Sequence, residues 1–254
     1  MRKLLFLSFL VFAFWPARAQ AQIATLVQEC NTGATTTSCS LTSLAANHTL
    51  VSTQDCLNTC PSFNSSPPTE SFGLTWTRSV NVCSGSVVGA NIDFQNIWYA
   101  STGSHTGNLT VTPSTGTRFS WVREYNAILV EDISACNTSA SPPADSGAFV
   151  TTVASDLVVT LFYGTGFTSP TNFTLCCADS AAGFFGGDAT LGAPGTYHVT
   201  GTTSSKWLIN VVALKLSAAV GALTPRPWVI NMNGGKHRRI PWDDRRRKLE
   251  IVKA

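Results

Sequence analysis

The sequence is short of charge. Only 12% of its 254 residues are Asp, Glu, Lys or Arg, about half of the roughly 25% usual in a soluble domain. A coiled coil or long helical bundle is excluded, because those need Ala, Glu, Lys, Leu and Arg in quantity. A chain kept disordered by its charge is excluded too, since 44% of the residues are hydrophobic. The Gly-x-Ser-x-Gly elbow of a serine hydrolase is missing, as are the paired Cys-x-x-Cys motifs of a structural zinc site. Hydroxyls take the place of charge: there are 32 Thr and 26 Ser. A chain rich in Thr, Ser, Val and aromatics suits strands, where β-branched side chains pack on a pleated surface.

The net charge of +3 hides three blocks. Residues 1–21 carry three basic residues, 22–225 carry five basic and eleven acidic, and 226–254 carry nine basic and three acidic. The body is therefore mildly acidic, and the basic character lies at the two ends. A whole-chain argument for nucleic-acid binding fails on this division, and nucleic acid is not an expected partner.

At the N-terminus, Arg2-Lys3 precedes a 12-residue apolar run, Leu4 to Trp15. Pro16 and the small-residue motifs Ala17-Arg18-Ala19 and Ala19-Gln20-Ala21 follow. This is the three-part pattern of a cleaved secretory signal, with cleavage expected after Ala19 or Ala21. The run falls short of the roughly 20 residues that span a bilayer, and no later segment reaches that length, so no transmembrane segment is expected in the mature chain. All eight cysteines, Cys30, Cys39, Cys56, Cys60, Cys83, Cys136, Cys176 and Cys177, lie beyond this leader. Their even number in an exported chain points to disulfides. Cys30–Cys39 and Cys56–Cys60 would close short loops, and the adjacent Cys176 and Cys177 should take different partners. Cys56-x-x-x-Cys60 comes nearest to a metal motif, but no His lies close behind it. Neither a metal nor a cofactor is expected.

The body alternates short apolar runs with breakers such as Ser65-Ser66-Pro67-Pro68 and Pro113-Ser114-Thr115-Gly116. Strands are expected at 23–28, 48–53, 74–80, 92–100, 107–112, 118–125, 148–153, 156–163, 172–175, 195–200 and 206–216. Phe119, Trp121 and Tyr125 share one face of their strand, and 156–163 is the continuous apolar run of a strand buried on both sides. The spacing predicts an all-β, jelly-roll-like β-sandwich over residues 22–216. A linker and basic tail should follow over 217–254.

Seven segments, in order, carry a resemblance: Ala46–Val51, Leu74–Arg78, Ile97–Ala100, Trp121–Tyr125, Asp156–Val159, Gly195–Thr200 and Trp207–Lys215. Together they resemble a β-sandwich domain recurrent in uncharacterised secreted bacterial and phage-associated proteins. The resemblance covers roughly 22–216 and implies a fold and an extracellular setting, but no activity and no catalytic residue. The extra cysteines and the basic tail depart from that pattern.

Candidate chemistry is sparse. The body's histidines, His48, His105 and His198, are far apart in sequence. A glycosidase needs two carboxylates across one sugar. Glu124, on a strand with Trp121 and Tyr125, is the best placed, followed by Glu131 and Asp132. The segment 178–188, with Asp179 and Asp188, reads as a loop that could at most offer calcium a weak site. For a sugar-stacking surface, Trp76, Trp98, Tyr99, Trp121 and Trp207 are available. Adjacent Trp98 and Tyr99 must point to opposite sides of a strand. The ligand-binding candidates are thus Trp98, Tyr99, Trp121 and Glu124. The tail adds Lys236, Arg238, Arg239, Arg245, Arg246, Arg247 and Lys248 as a candidate contact for anionic surfaces. The leading expectation is a secreted, non-enzymatic adhesive module whose partner is a glycan or an anionic cell-surface polymer. A structural subunit of an extracellular or virion assembly, with a protein partner, and a polysaccharide hydrolase are the alternatives.

Overall fold

The computed structural model describes residues 23–32, 38–57, 66–79, 83–85, 93–164, 174–179, 183–204 and 206–218. The leader and the basic tail lie outside the described residues, so the expectations placed on them are not addressed by the fold. Every regular element among the described residues is a strand. In chain order they are β1 (Leu26–Asn31), β2 (Cys39–Leu44), β3 (Thr49–Leu57), β4 (Thr69–Glu70), β5 (Thr77–Arg78) and β6 (Cys83–Gly85). Then come β7 (Asp93–Ser101), β8 (Gly107–Thr112), β9 (Phe119–Tyr125), β10 (Leu129–Ser139), β11 (Ala144–Asp145) and β12 (Phe149–Thr151). The last are β13 (Leu157–Gly164), β14 (Thr174–Asp179), β15 (Phe184–Thr190), β16 (Gly195–Tyr197), β17 (Thr200–Gly201) and β18 (Trp207–Leu216).

Two large antiparallel sheets form a sandwich. One has the order β1-β9-β3-β7-β5, with β6 also on β7; the other has the order β10-β18-β13-β15-β14. The chain builds them by halves: every strand of the first sheet precedes β10, and every strand of the second follows β9. Their facing sides supply two apolar clusters. Val51, Ile97 and Tyr125 meet Leu157, Val159, Val212 and Leu214, while Phe119 and Trp121 meet Leu161, Tyr163, Phe184 and Leu208.

The outer faces are covered as well. Leu50 and Val122 lie under the three-stranded sheet β2-β8-β4 through Leu41, Leu44, Leu109 and Val111. Val158, Phe162, Ile209 and Val211 pack with Ala144 and Phe149 of the small sheets β11-β17 and β12-β16. This double cover is why β9 and β13 are buried at every position. Each fully buried large apolar side chain contributes about 1.5–3 kcal/mol.

Two disulfides are described. Cys30–Cys39, an expected short-loop pair, ties β1 to β2 with Cα atoms 5.7 Å apart. Cys83–Cys136 links β6 to β10, and so one large sheet to the other, across a Cα separation of 5.3 Å. Cys56 is also disulfide-bonded. Cys60 and the side chains of Cys176 and Cys177 lie outside the described residues.

Several strands depart from the sequence reading. β2, β10 and β15 occupy stretches that carried no expected strand. β10 hides its signal because it is an edge strand, paired only with β18 and bulged between Glu131 and Ile133, so its polar residues do not alternate cleanly. β15 corrects the expected loop at 178–188. Gly186 and Gly187 are held extended because β13 pairs on one side and β14 on the other. Asp188, offered there as a calcium ligand, instead accepts the Tyr125 hydroxyl at 2.7 Å across the sandwich. Asp179 lies opposite Phe184 in the same hairpin.

Candidate functional site

Three of the four residues singled out as ligand-binding candidates, Trp98, Trp121 and Glu124, are buried. Trp121 is 1% exposed, and its ring faces Phe119 at 6.3 Å inside the sandwich. It is core, not a stacking platform. Glu124 points to the other side of β9 and is fully buried. Its Oε1 accepts the Ala45 amide at 3.0 Å and stands 2.7 Å from His48 Nδ1; its Oε2 accepts Gln28 Nε2. Gln28 in turn bridges to both the amide and the carbonyl of Thr42. Glu124 therefore ties β1, the β2–β3 turn and the start of β3 together, with three polar partners on its two oxygens. A carboxylate so saturated and enclosed cannot meet a sugar, which removes it from the glycosidase pair.

The adjacent pair Trp98 and Tyr99 divides as strand alternation requires. Trp98 is buried, and the Arg78 guanidinium lies over its ring at 5.8 Å. Tyr99 is only half-buried and opens onto a groove of about 450 Å³. The groove runs between the β5 edge of the first sheet and the β10 edge of the second. Thr77, Arg78 and Tyr99 line one bank, and Glu131, Asp132, Ile133 and Ser134 line the other. Register explains the first bank: β5 sets Thr77 opposite Tyr99 and Arg78 opposite Trp98. The bulge at Glu131–Ile133 turns the second bank toward it. Burial, with Glu131 nearby, pushes the Tyr99 phenol above its ordinary range.

Behind the groove sits a charged network. Asp132 Oδ1 accepts Lys215 Nζ at 2.7 Å, and its Oδ2 accepts the Thr152 amide at 2.6 Å. The Thr152 hydroxyl donates to it as well. Burial would raise this carboxyl, but Lys215, Thr152 and the neighbouring Asp156 outweigh it and hold it down at about 2. Asp156 is fully buried. Burial first, and then the Asp132 charge, pushes it up to about 6 against the pull of Lys215. Two neighbouring carboxyls split in this way share one proton over the range between those values.

A second charged cluster has three members. Arg118 Nη2 lies 3.3 Å from Asp55 Oδ2 and 3.6 Å from Asp93 Oδ1. Its guanidinium sits 4.5 Å from the centre of the Phe184 ring. Burial pushes Asp55 well above the carboxylate range; Arg118 opposes the shift and Asp93 adds to it. Both acids are fully buried on the neighbouring strands β3 and β7, and Arg118 reaches the other sheet through the Phe184 ring.

The histidines are dispersed: His48 is on Glu124, His105 is stacked on Phe72 at 5.1 Å, and His198 is on Asp145 at 3.0 Å. Among the described residues no group of three or more His, Cys, Asp and Glu could hold a metal ion, and no helix is long and apolar enough to cross a membrane. The sequence reading reached Tyr99, Glu131 and Asp132 of the groove and its surroundings, and missed Thr77, Arg78, Asp156 and Lys215. Nothing in their local sequence marks them, because pairing between distant strands brings them together. No protein-family model matches the chain, and neither a curated protein nor a solved structure matches it.

Proposed function

We propose that the protein is a secreted, non-enzymatic surface module that binds a glycan in the groove between the β5 and β10 edges. The observation that carries this reading is the make-up of the banks. A half-buried aromatic ring, two hydroxyl residues, a guanidinium and two carboxylates line one open channel. Sugars are recognised by such a mixture, since ring faces take their apolar C–H surfaces and polar groups take their hydroxyls. Binding is favoured over hydrolysis because Asp132 is committed to Lys215 and Thr152. Among the described residues the groove then offers no pair of uncommitted acids, whereas glycoside hydrolysis needs two. The leader pattern and the disulfides support an oxidising, extracellular setting.

A glycan array on the mature chain, repeated with Tyr99→Ala and Arg78→Ala, tests the reading. At least one glycan should bind, and Tyr99→Ala should weaken it by about two- to tenfold, matching an aromatic contact of about 0.5–1.5 kcal/mol. Release of reducing ends from a polysaccharide would make the protein a hydrolase instead. Defined self-assembly by light scattering, with no glycan bound, would favour a structural subunit.

A further inference from the structure

A pocket remote from the groove in sequence is formed where β12, β15 and β16 meet. Its volume is about 270 Å³, and Phe149, Thr190, Leu191, Gly192, Tyr197 and His198 are among the residues lining it. We propose that it is a second saccharide site, sized for a single pyranose ring.

Three features of its walls support this. The first is an apolar side of fixed geometry. The β12–β16 pairing sets Phe149 opposite Tyr197, and their rings lie 6.3 Å apart at a tilt of 32°. The Tyr197 hydroxyl is already donated to the Ala193 carbonyl, so the ring offers its face rather than its oxygen. Carbon-bound hydrogens carry partial positive charge and are attracted to the negative face of such a ring. The second feature is a single polar corner. His198 Nδ1 stands 3.0 Å from Asp145 Oδ1, which also accepts the Gly147 amide at 2.8 Å. With Nδ1 held by that carboxylate, Nε2 is left to hydrogen-bond a sugar hydroxyl, which can either donate or accept. Thr190 adds a hydroxyl to the lining. The third is size: drug-sized ligands occupy pockets of about 300–1,000 Å³, and this one falls just below that range. A pyranose, apolar on one face and ringed by hydroxyls, matches one apolar wall with one polar corner. A purely aromatic guest would leave the histidine unused.

The proposal shares a ligand class with the groove but no residue, so either site can fail alone. If both hold, the module engages one polysaccharide at two points, and the second contact benefits from high effective concentration.

The test uses the mature chain and methyl glycosides of glucose, galactose, mannose and N-acetylglucosamine as probes, with the His198 and Tyr197 ring resonances as readout. Gly192 allows a clean block. Its backbone is not left-handed, and a Cβ there would meet nothing within 4 Å. Gly192→Phe should therefore fold and set a bulky ring on the pocket's wall. At least one glycoside should shift these resonances in the wild type and in Tyr99→Ala, with affinity at least tenfold weaker in Gly192→Phe. If Gly192→Phe does not fold, His198→Ala serves, with the Tyr197 ring as readout and the same expected loss. The proposal is overturned if no glycoside moves these resonances, if the blocked variant binds as well as the wild type, or if only an indole probe enters. The last result would make the pocket a receptor for an aromatic side chain of a partner protein. Loss of groove binding in Tyr99→Ala with the pocket shifts intact would count against neither site.

Discussion

Replacing Asp156 by Asn should remove a pH dependence that the wild-type fold carries. Asp156 has an ordinary value of 3.8 and stands at about 6 in the fold. The folded chain therefore keeps a proton that the unfolded chain gives up between those values. The associated stability is fully present below pH 3.8 and is lost as pH rises through 6. Asp132 works the opposite way: held at about 2, it contributes stability above 3.8 that is lost as pH falls through 2. The pair thus gives a local stability maximum near pH 4. A shift of about two units is worth at most about 3 kcal/mol at 1.36 kcal/mol per unit. The Lys215 ammonium, 33% exposed, opposes this rise; because it also partly neutralises the Asp132 charge that adds to the rise, the expected effect is about 1–2 kcal/mol. Urea denaturation from pH 3 to 8 should show the wild type losing that amount between pH 4 and 7 relative to Asp156→Asn. Other groups, such as Asp55, titrate in both proteins and cancel in the difference. Parallel stability curves for the two proteins would refute the reasoning.

Three more outcomes are expected. Glu124→Ala should destabilise the fold by about 1–3 kcal/mol, because it strands partly buried donors on Ala45, His48 and Gln28; Glu124→Gln, which keeps an acceptor, should lose less in the same thermal melt. Replacing Cys83 and Cys136 together by Ala should cost about 4 kcal/mol for opening a loop of 53 residues between the two sheets, measured by denaturant midpoint against the oxidised wild type. The seven Lys and Arg of 236–248 should bind anionic vesicles at low salt and release them toward 1 M, where the screening length falls to about 3 Å; truncation after Leu223 should abolish co-sedimentation, and equal binding by both forms would assign attachment to the sandwich.

By itself the sequence determined the class of fold and most of its strands. Low charge, abundant Thr and Val, and frequent breakers leave a chain little alternative to pleated, half-buried elements. The alternation of Phe119, Trp121 and Tyr125 and the apolar run at 156–163 mark β9 and β13 directly, because side-chain direction in a strand has a strict period of two. The same period separated Trp98 from Tyr99. It could not say which ring would be reached by solvent, since that depends on what covers each face. Only the tertiary structure decided that Arg78 lies over Trp98 while Tyr99 opens onto a channel. Glu124 shows the limit most plainly. A carboxylate beside aromatics on a strand reads as chemistry, yet three donors from β1, the β2–β3 turn and the start of β3 make it a structural tie. The groove and the pocket are both built where strands far apart in the chain meet, and strand register, set by burial on both faces at once, is a property of the assembled sheets rather than of any local segment.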